Sequence, residues 1–154
     1  MSDRETPTRT LGEDQWGRAL GIEILEVTNE LVRAALEAGP QHHQPYGILH
    51  GGVYASIVEA AASVGAGRLA LSRGDAGVVG VSNHTDFLRS HSRGRLDIEA
   101  RPLHAGRRQH LWEVWIRRAA DQQLVSRGQV RFQVLDVLPS DREGASIREP
   151  SGAA

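Results

Sequence analysis

The sequence contains no cysteine and no lysine, and its charges nearly cancel. Without cysteine there are no disulfides, no thiolate metal sites and no cysteine nucleophile. Because all 18 basic residues are arginine, no lysine is present to form a Schiff base or to serve a P-loop. A formal net charge of −1 gives no electrostatic footprint for nucleic acid or an anionic membrane. These absences direct the search toward carboxylate chemistry and helix-end electrostatics.

Long apolar runs are also missing. The stretch 51–71 comes nearest, but Glu59, Arg68 and several Gly and Ser residues interrupt it, whereas a membrane-spanning helix needs roughly 18 consecutive apolar residues. The first dozen residues are polar and charged, without the apolar core of a secretory leader. We therefore expect a cytoplasmic protein with neither a membrane nor a nucleic acid as partner.

The length of 154 residues suits one domain with a single core. Both ends are polar and contain proline, so neither end buries enough apolar surface to offset the entropy of ordering it. We therefore predict disordered segments over residues 1–10 and 139–154 and one domain over residues 11–138.

The pattern of apolar residues predicts an α+β fold. Residues 51–71 are alanine-rich, lack proline and are apolar nearly all round, which indicates a long helix buried on most sides. Six segments have the composition or the alternation of strands: 22–27, 31–37, 76–88, 95–103, 110–117 and 124–135. Most connections between them are short, which favours an antiparallel sheet. A sheet wrapped around one central helix is the hotdog architecture, whose uncovered sheet predicts a dimer or larger assembly.

Two apparent ligand motifs are set aside. Residues 65–70 match a dinucleotide-binding pattern, but they lie inside the predicted helix and follow no strand, so close packing of small residues explains them better. The seven histidines do not show the i, i+4 spacing of a helical zinc site. We therefore expect neither a metal nor a cofactor.

The segment from Gln44 to Ser63 contains the residues best suited to take part in a chemical reaction. Gly51 and Gly52 open the predicted helix, where free amides and the positive end of the helix dipole polarise a carbonyl; the alternative is a tight packing contact. Glu59 lies among apolar residues, where an unpaired buried carboxylate costs several kcal/mol. It is therefore either functional or paired with an arginine such as Arg89. Ser63 lies one turn later on the same face, placed to hold a water or to bond back to the Glu59 carbonyl.

The run Gln44-Pro45-x-Gly-x-x-His50-Gly51-Gly52, followed by Glu59 and Ser63, resembles the hotdog-fold acyl-CoA thioesterases of the PaaI type. The nearest branch contains 4-hydroxybenzoyl-CoA thioesterase and 1,4-dihydroxy-2-naphthoyl-CoA hydrolase, and residues 79–90 and 102–107 resemble family strands as well. The resemblance implies cofactor-free hydrolysis of aryl- or hydroxyaryl-CoA, with aliphatic acyl-CoA also considered. Two alternatives stay open: a hotdog hydratase or dehydratase with His50 as base, and a non-catalytic acyl-CoA binder.

The resemblance also implies a role for each of these residues. Glu59 would be the nucleophile or general base, and the Gly51 amide would polarise the thioester carbonyl. Gln44 and His50 would position the substrate, and Ser63 would assist the hydrolytic water. In the family the glutamate faces the other three groups across a subunit boundary, so a homodimer would complete the site, with dimers pairing into a tetramer.

A second set of residues is expected to contact the acyl-CoA substrate. Phe87 lies beside the acyl pocket in this resemblance, and arginine suits the CoA phosphates because its planar fork matches phosphate oxygens. The full set is Gly52, Phe87, Arg89, Ser90, Gly106, Arg107 and Arg108.

Overall fold

A computed structural model describes residues 13–141. One long helix packs against a six-stranded antiparallel sheet. The elements are α1 (Gln15–Leu20), β1 (Ile22–Val27), β2 (Val32–Ala38), α2 (Gly51–Ser72), β3 (Gly77–Phe87), β4 (Gly94–Ala105), β5 (Gln109–Arg118) and β6 (Leu124–Leu135). The predicted α+β hotdog architecture is confirmed, and each predicted strand ends within two residues of the observed one.

The predicted disordered segments fall mostly outside the described residues. This applies to residues 1–10 and to 142–154. Pro139–Asp141, at the start of the predicted tail, forms a short 3-10 turn. Among the helices of residues 13–141, none is long and apolar enough to cross a membrane.

The sheet order is β1-β2-β4-β5-β6-β3, so β1 and β3 form its edges. β3 follows α2 in the chain but pairs with β6, the last strand. Phe87 lies opposite Ser126 at one end of this pair, and Gly77 lies opposite Leu135 at the other. The register therefore assigns the residues after β3 and the β4–β5 turn to opposite ends of the sheet.

Helix α2 begins where the sequence predicts, because His50 caps it. The His50 Nδ1 atom accepts a hydrogen bond from the Gly52 amide at 2.8 Å, which satisfies one of the otherwise orphaned first-turn donors. The helix ends at Ser72; Arg73 is its C-cap, and Gly74 follows in the left-handed region at φ +86°.

The glycines of residues 65–70 serve packing. A Cβ added at Gly65 would lie 2.3 Å from Cζ3 of the buried Trp112 on β5. Only glycine therefore lets α2 approach the sheet this closely. The interpretation of this motif as a helix–sheet contact is confirmed.

Candidate active site

Glu59 is held by side chains of strand β3. Asn83 donates through Nδ2 to Glu59 Oε2 at 2.9 Å and to the Ala55 carbonyl at 3.1 Å. Thr85 donates through Oγ1 to Asn83 Oδ1 at 2.6 Å. The Asn83 amide thus has partners at both ends, which fix its orientation toward the half-buried carboxylate.

Gly80 leaves the space that the Glu59 carboxylate occupies. A Cβ at Gly80 would lie 2.5 Å from Glu59 Oε1. Within residues 13–141 no arginine pairs with Glu59, and the guanidinium of Arg89 donates instead to the Leu124 carbonyl at 2.8 Å. The alternative of a structural ion pair between Glu59 and Arg89 is therefore wrong.

Glu59 opens into a cavity of about 490 Å³. Most of its exposed wall area is apolar, from Trp16, Ala60 and Val64, and the carboxylates Glu13 and Asp14 just before α1 line it as well. Ser63 lines the same cavity, as its spacing from Glu59 predicts, and makes no hydrogen bond within the described part of the chain. The carboxylate therefore meets a space able to accept an apolar group.

Three hydrogen-bond donors near the start of α2 have no acceptor among the described residues: the Gly51 amide, His50 Nε2 and Gln44 Nε2. The next two amides of the helix do have acceptors, since Gly52 donates to His50 Nδ1 and Val53 to the His50 carbonyl at 2.9 Å. The Gly51 amide has no acceptor in residues 13–141. Because Nδ1 of His50 accepts, the neutral ring carries its proton on the exposed Nε2, where it is a donor. This tautomer is assigned from the hydrogen bond.

Gln44 supplies the third donor. Its Oε1 accepts from the Tyr46 amide within its own turn, and its Nε2 has no partner among the described residues. The Gln44 side chain therefore presents a donor, as do Gly51 and His50. Such donors stabilise negative charge developing on a carbonyl oxygen.

Gln44 and Gly51 line a second cavity of about 300 Å³. Phe87, Arg89 and Ser90 of the predicted substrate contacts line it too. A Cβ at Gly51 would lie 2.5 Å from Cε2 of Phe87, which supports the tight packing contact given as the alternative for this glycine. Its role in polarising a carbonyl stays a prediction. Gly52, in contrast, is exposed with its amide already bound to His50.

One chain does not bring the donors to the carboxylate. Gly51 and Glu59 are eight residues apart on α2, about 12 Å along the axis at 1.5 Å per residue. They line different cavities, and no residue lines both. The candidate residues thus form two separate groups, named the donor half-site (Gln44, His50, Gly51) and the carboxylate half-site (Glu59, Ser63). His50 directly precedes Gly51 but lines neither cavity.

The predicted CoA contacts are likewise divided. Arg89 follows the end of β3 that lies opposite Ser126, whereas Gly106, Arg107 and Arg108 form the β4–β5 turn beside Val134. Ser126 and Val134 are eight residues apart on β6, about 27 Å in an extended strand. Arg107 and Arg108 are exposed and form no ion pair within the described residues. A single chain therefore does not gather these arginines around one phosphate group.

Three of the histidines have structural partners. His42 binds the Leu20 carbonyl at 2.8 Å, His43 the Ser92 carbonyl at 2.7 Å and His91 the Gly94 carbonyl at 3.1 Å. Over residues 13–141, no group of three or more potential ligands is placed to hold a metal.

Comparison with known proteins identifies the family. Residues 46–125 match the thioesterase superfamily. The Mycobacterium tuberculosis protein named "Putative esterase Rv1847" is 46% identical over 121 residues, which cover 78% of this chain and 86% of that protein. "Proofreading thioesterase EntH" of Cronobacter turicensis is 36% identical over 97 residues, which cover 63% of this chain and 69% of that protein.

Solved structures agree with the sequence matches. The Rv1847 structure has a TM-score of 0.76 at 43% identity and covers 80% of this chain and 98% of that one. The structure of AziG from S. sahachiroi also has a TM-score of 0.76, at 38% identity, and covers 83% of this chain and 100% of that one. This chain therefore belongs to the thioesterase superfamily and is a thioester hydrolase with the hotdog fold.

Proposed function

We propose that this enzyme hydrolyses the thioester of aryl- or hydroxyaryl-CoA, releasing the free acid and CoA. The observation that carries the proposal is the Glu59 carboxylate, which Asn83 holds at the wall of a mostly apolar cavity. An apolar acyl group fits such a cavity, and the carboxylate beside it supplies the base or nucleophile that hydrolysis needs.

Two routes use the same carboxylate. As a general base, Glu59 takes a proton from water while the water oxygen bonds to the thioester carbon. The tetrahedral intermediate then collapses, the C–S bond breaks and the CoA thiolate takes up the proton. As a nucleophile, Glu59 itself bonds to that carbon, CoA leaves, and water hydrolyses the resulting anhydride. In both routes the carbonyl oxygen gains negative charge that Gly51, Gln44 and His50 stabilise as donors.

We propose that the two half-sites meet across a homodimer. Their separation along α2 supports this arrangement, because neither half-site alone holds both a carboxylate and the carbonyl-polarising donors. Dimers pairing into a tetramer would cover more of the sheet. A single chain holds Arg89 far from Arg107 and Arg108. In the assembly, the CoA phosphates would be bound by Arg89 of one protomer together with Arg107 and Arg108 of another.

The tautomer of His50, assigned from its hydrogen bond with Gly52, bears on the hydratase alternative. A hydratase needs a histidine that accepts a proton from water or from the acyl chain. In this chain the Nδ1 lone pair of His50 is already bound to the Gly52 amide, so the ring presents a donor. This arrangement favours hydrolysis over hydration.

Thiol release from benzoyl-CoA and hexanoyl-CoA tests the proposal. Glu59→Gln and Glu59→Ala should each lower kcat at least about 100-fold, the low end for loss of a general acid–base group. Glu23→Gln alters an exposed glutamate on β1 and serves as the matched control at wild-type rate. Wild-type rates in Glu59→Gln, or hydration without thiol release, would reject the proposed function.

A further inference from the structure

Trp16 is a large aromatic side chain placed at the carboxylate half-site. It lies on α1, is 63% exposed and lines the cavity that contains Glu59 and Ser63. A single exposed tryptophan needs no explanation by itself. Trp16, however, shares its cavity with the proposed catalytic carboxylate, so its ring is placed where an acyl group would bind.

The indole ring is held in place by a short hydrogen-bonded relay. Trp16 Nε1 donates to Ser56 Oγ at 2.9 Å, and Ser56 Oγ donates to the Gly52 carbonyl at 2.8 Å. The relay ties the ring to the first turn of α2. A flat ring fixed at one polar edge presents a preformed apolar surface, which lowers the entropy cost of binding.

The helix that carries Trp16 is itself fixed. Asp14 caps α1 by accepting from the Gly17 amide at 2.9 Å, and Gly21 ends the helix in the left-handed region at φ +82°. α1 packs against α2 and β1. Ala60 and Val64 line the same cavity, as do the carboxylates Glu13 and Asp14, and its volume of about 490 Å³ leaves room for a ring next to the indole.

We propose that Trp16 is a specificity-determining residue that selects planar aromatic acyl groups by stacking against them. The inference rests on the proposed function, since it concerns the acyl group of the same thioester. Offset stacking of two rings favours an aromatic ligand over an aliphatic one of similar size. Ser56 lines the same cavity and acts as a positioning residue, because its hydroxyl accepts the indole hydrogen bond and so orients the ring.

The ratio of kcat/KM for benzoyl-CoA to that for hexanoyl-CoA tests the proposal. Trp16→Leu should lower this ratio about tenfold, chiefly through a higher KM for benzoyl-CoA, as expected for one aromatic pair. Trp16→Phe should keep most of the ratio, and Ser56→Ala should lower it about two- to threefold through a less ordered ring. Trp115→Leu changes a half-buried tryptophan on the outer sheet face and should leave the ratio at its wild-type value.

Ligand-induced fluorescence gives a readout independent of turnover. S-phenacyl-CoA, in which a methylene separates sulfur from the carbonyl, should quench wild-type and Trp115→Phe tryptophan emission but not that of Trp16→Phe. An unchanged substrate ratio in Trp16→Leu, or equal quenching in Trp16→Phe, would overturn the proposal. Failure of the wild type to release thiol would instead reject the proposed function, and the titration would still decide the role of Trp16.

Discussion

Asn83 is the side chain that most directly controls the Glu59 carboxylate. It donates to Glu59 Oε2 and to the Ala55 carbonyl while its own oxygen accepts from Thr85, so its amide cannot turn away without losing three hydrogen bonds. Gly80 leaves room on the other side. Strand β3 therefore holds the carboxylate in place, although the sequence motif from Gln44 to Ser63 contains no residue of β3.

Replacing Asn83 tests this preorganisation. A hydrogen bond to a charged group contributes about 1.5–3 kcal/mol, so Asn83→Ala should lower kcat about tenfold or more with a smaller change in KM. Asn83→Asp should lower kcat further, because it sets a second carboxylate beside Glu59. Steady-state kinetics on benzoyl-CoA measures both effects.

Asn29→Ala is the matched control for these variants, since Asn29 lies exposed in the β1–β2 turn. A denaturation midpoint for Asn83→Ala close to that of the wild type would separate positioning from folding. If kcat of Asn83→Ala equals the wild-type value, Asn83 does not position Glu59.

The sequence predicts Glu59 and Gly51 but not Asn83, for a physical reason. A lone carboxylate in an apolar helix and a glycine pair at its start are visible without knowing any partner. Period-two alternation along β3 would set Asn83 on the same face as Val79 and Val81. The bulge between Gly80 and Ser82 shifts that phase and turns Asn83 to the helix side.

At the scale of elements, helix and strand bounds follow from local signals and strand order does not. The glycine pair and the turns between strands locate α2 and the six strands within two residues. The sequence does not predict that β3 pairs with β6 at the sheet edge, because the position of β3 depends on how the preceding helix α2 packs against the sheet. The separation of Arg89 from Arg107 and Arg108 follows from this long-range pairing, whereas the separation of the two half-sites follows from spacing along α2.

Because side chains alternate between the two faces of β5, a histidine lies on the inner face of this strand. His110 is fully buried in the same row as Trp112 and Val114, and neither ring nitrogen has a hydrogen-bond partner among the described residues. Burial lowers the pKa of His110 below its usual value of 6.5, and the nearby Arg73 lowers it further. The folded chain therefore keeps this ring neutral where the unfolded chain binds a proton.

This difference predicts a loss of stability in mild acid. As the pH falls below about 6.5, the unfolded state binds one more proton than the folded state, so the free energy of unfolding falls by up to about 1.4 kcal/mol per pH unit. Above that pH the ring is neutral in both states and contributes no slope. His110→Leu should flatten the dependence, as measured by urea midpoints between pH 7.5 and 5.5 at constant protein concentration.

His84→Gln provides the control for that series, because His84 is exposed on β3 and its replacement should preserve the wild-type slope. NMR titration of the His110 ring protons in the wild type supplies a second measurement that needs no mutation. An unchanged slope in His110→Leu, or a ring that titrates at its usual pKa, would contradict the prediction.

At the scale of the whole molecule, the proposed homodimer with a divided active site predicts complementation between inactive subunits. A Glu59→Gln chain keeps the donor half-site, and a Gln44→Ala chain keeps the carboxylate half-site, so a mixed dimer contains one intact site. Co-expressed with two different affinity tags and purified through both, the mixture should recover about a quarter to a half of wild-type kcat, although each parent alone stays low.

A mixture of Glu59→Gln with Glu59→Ala has no intact carboxylate half-site and should recover nothing. Activity no higher than that of the parents in the first mixture would mean that each chain builds its own complete site.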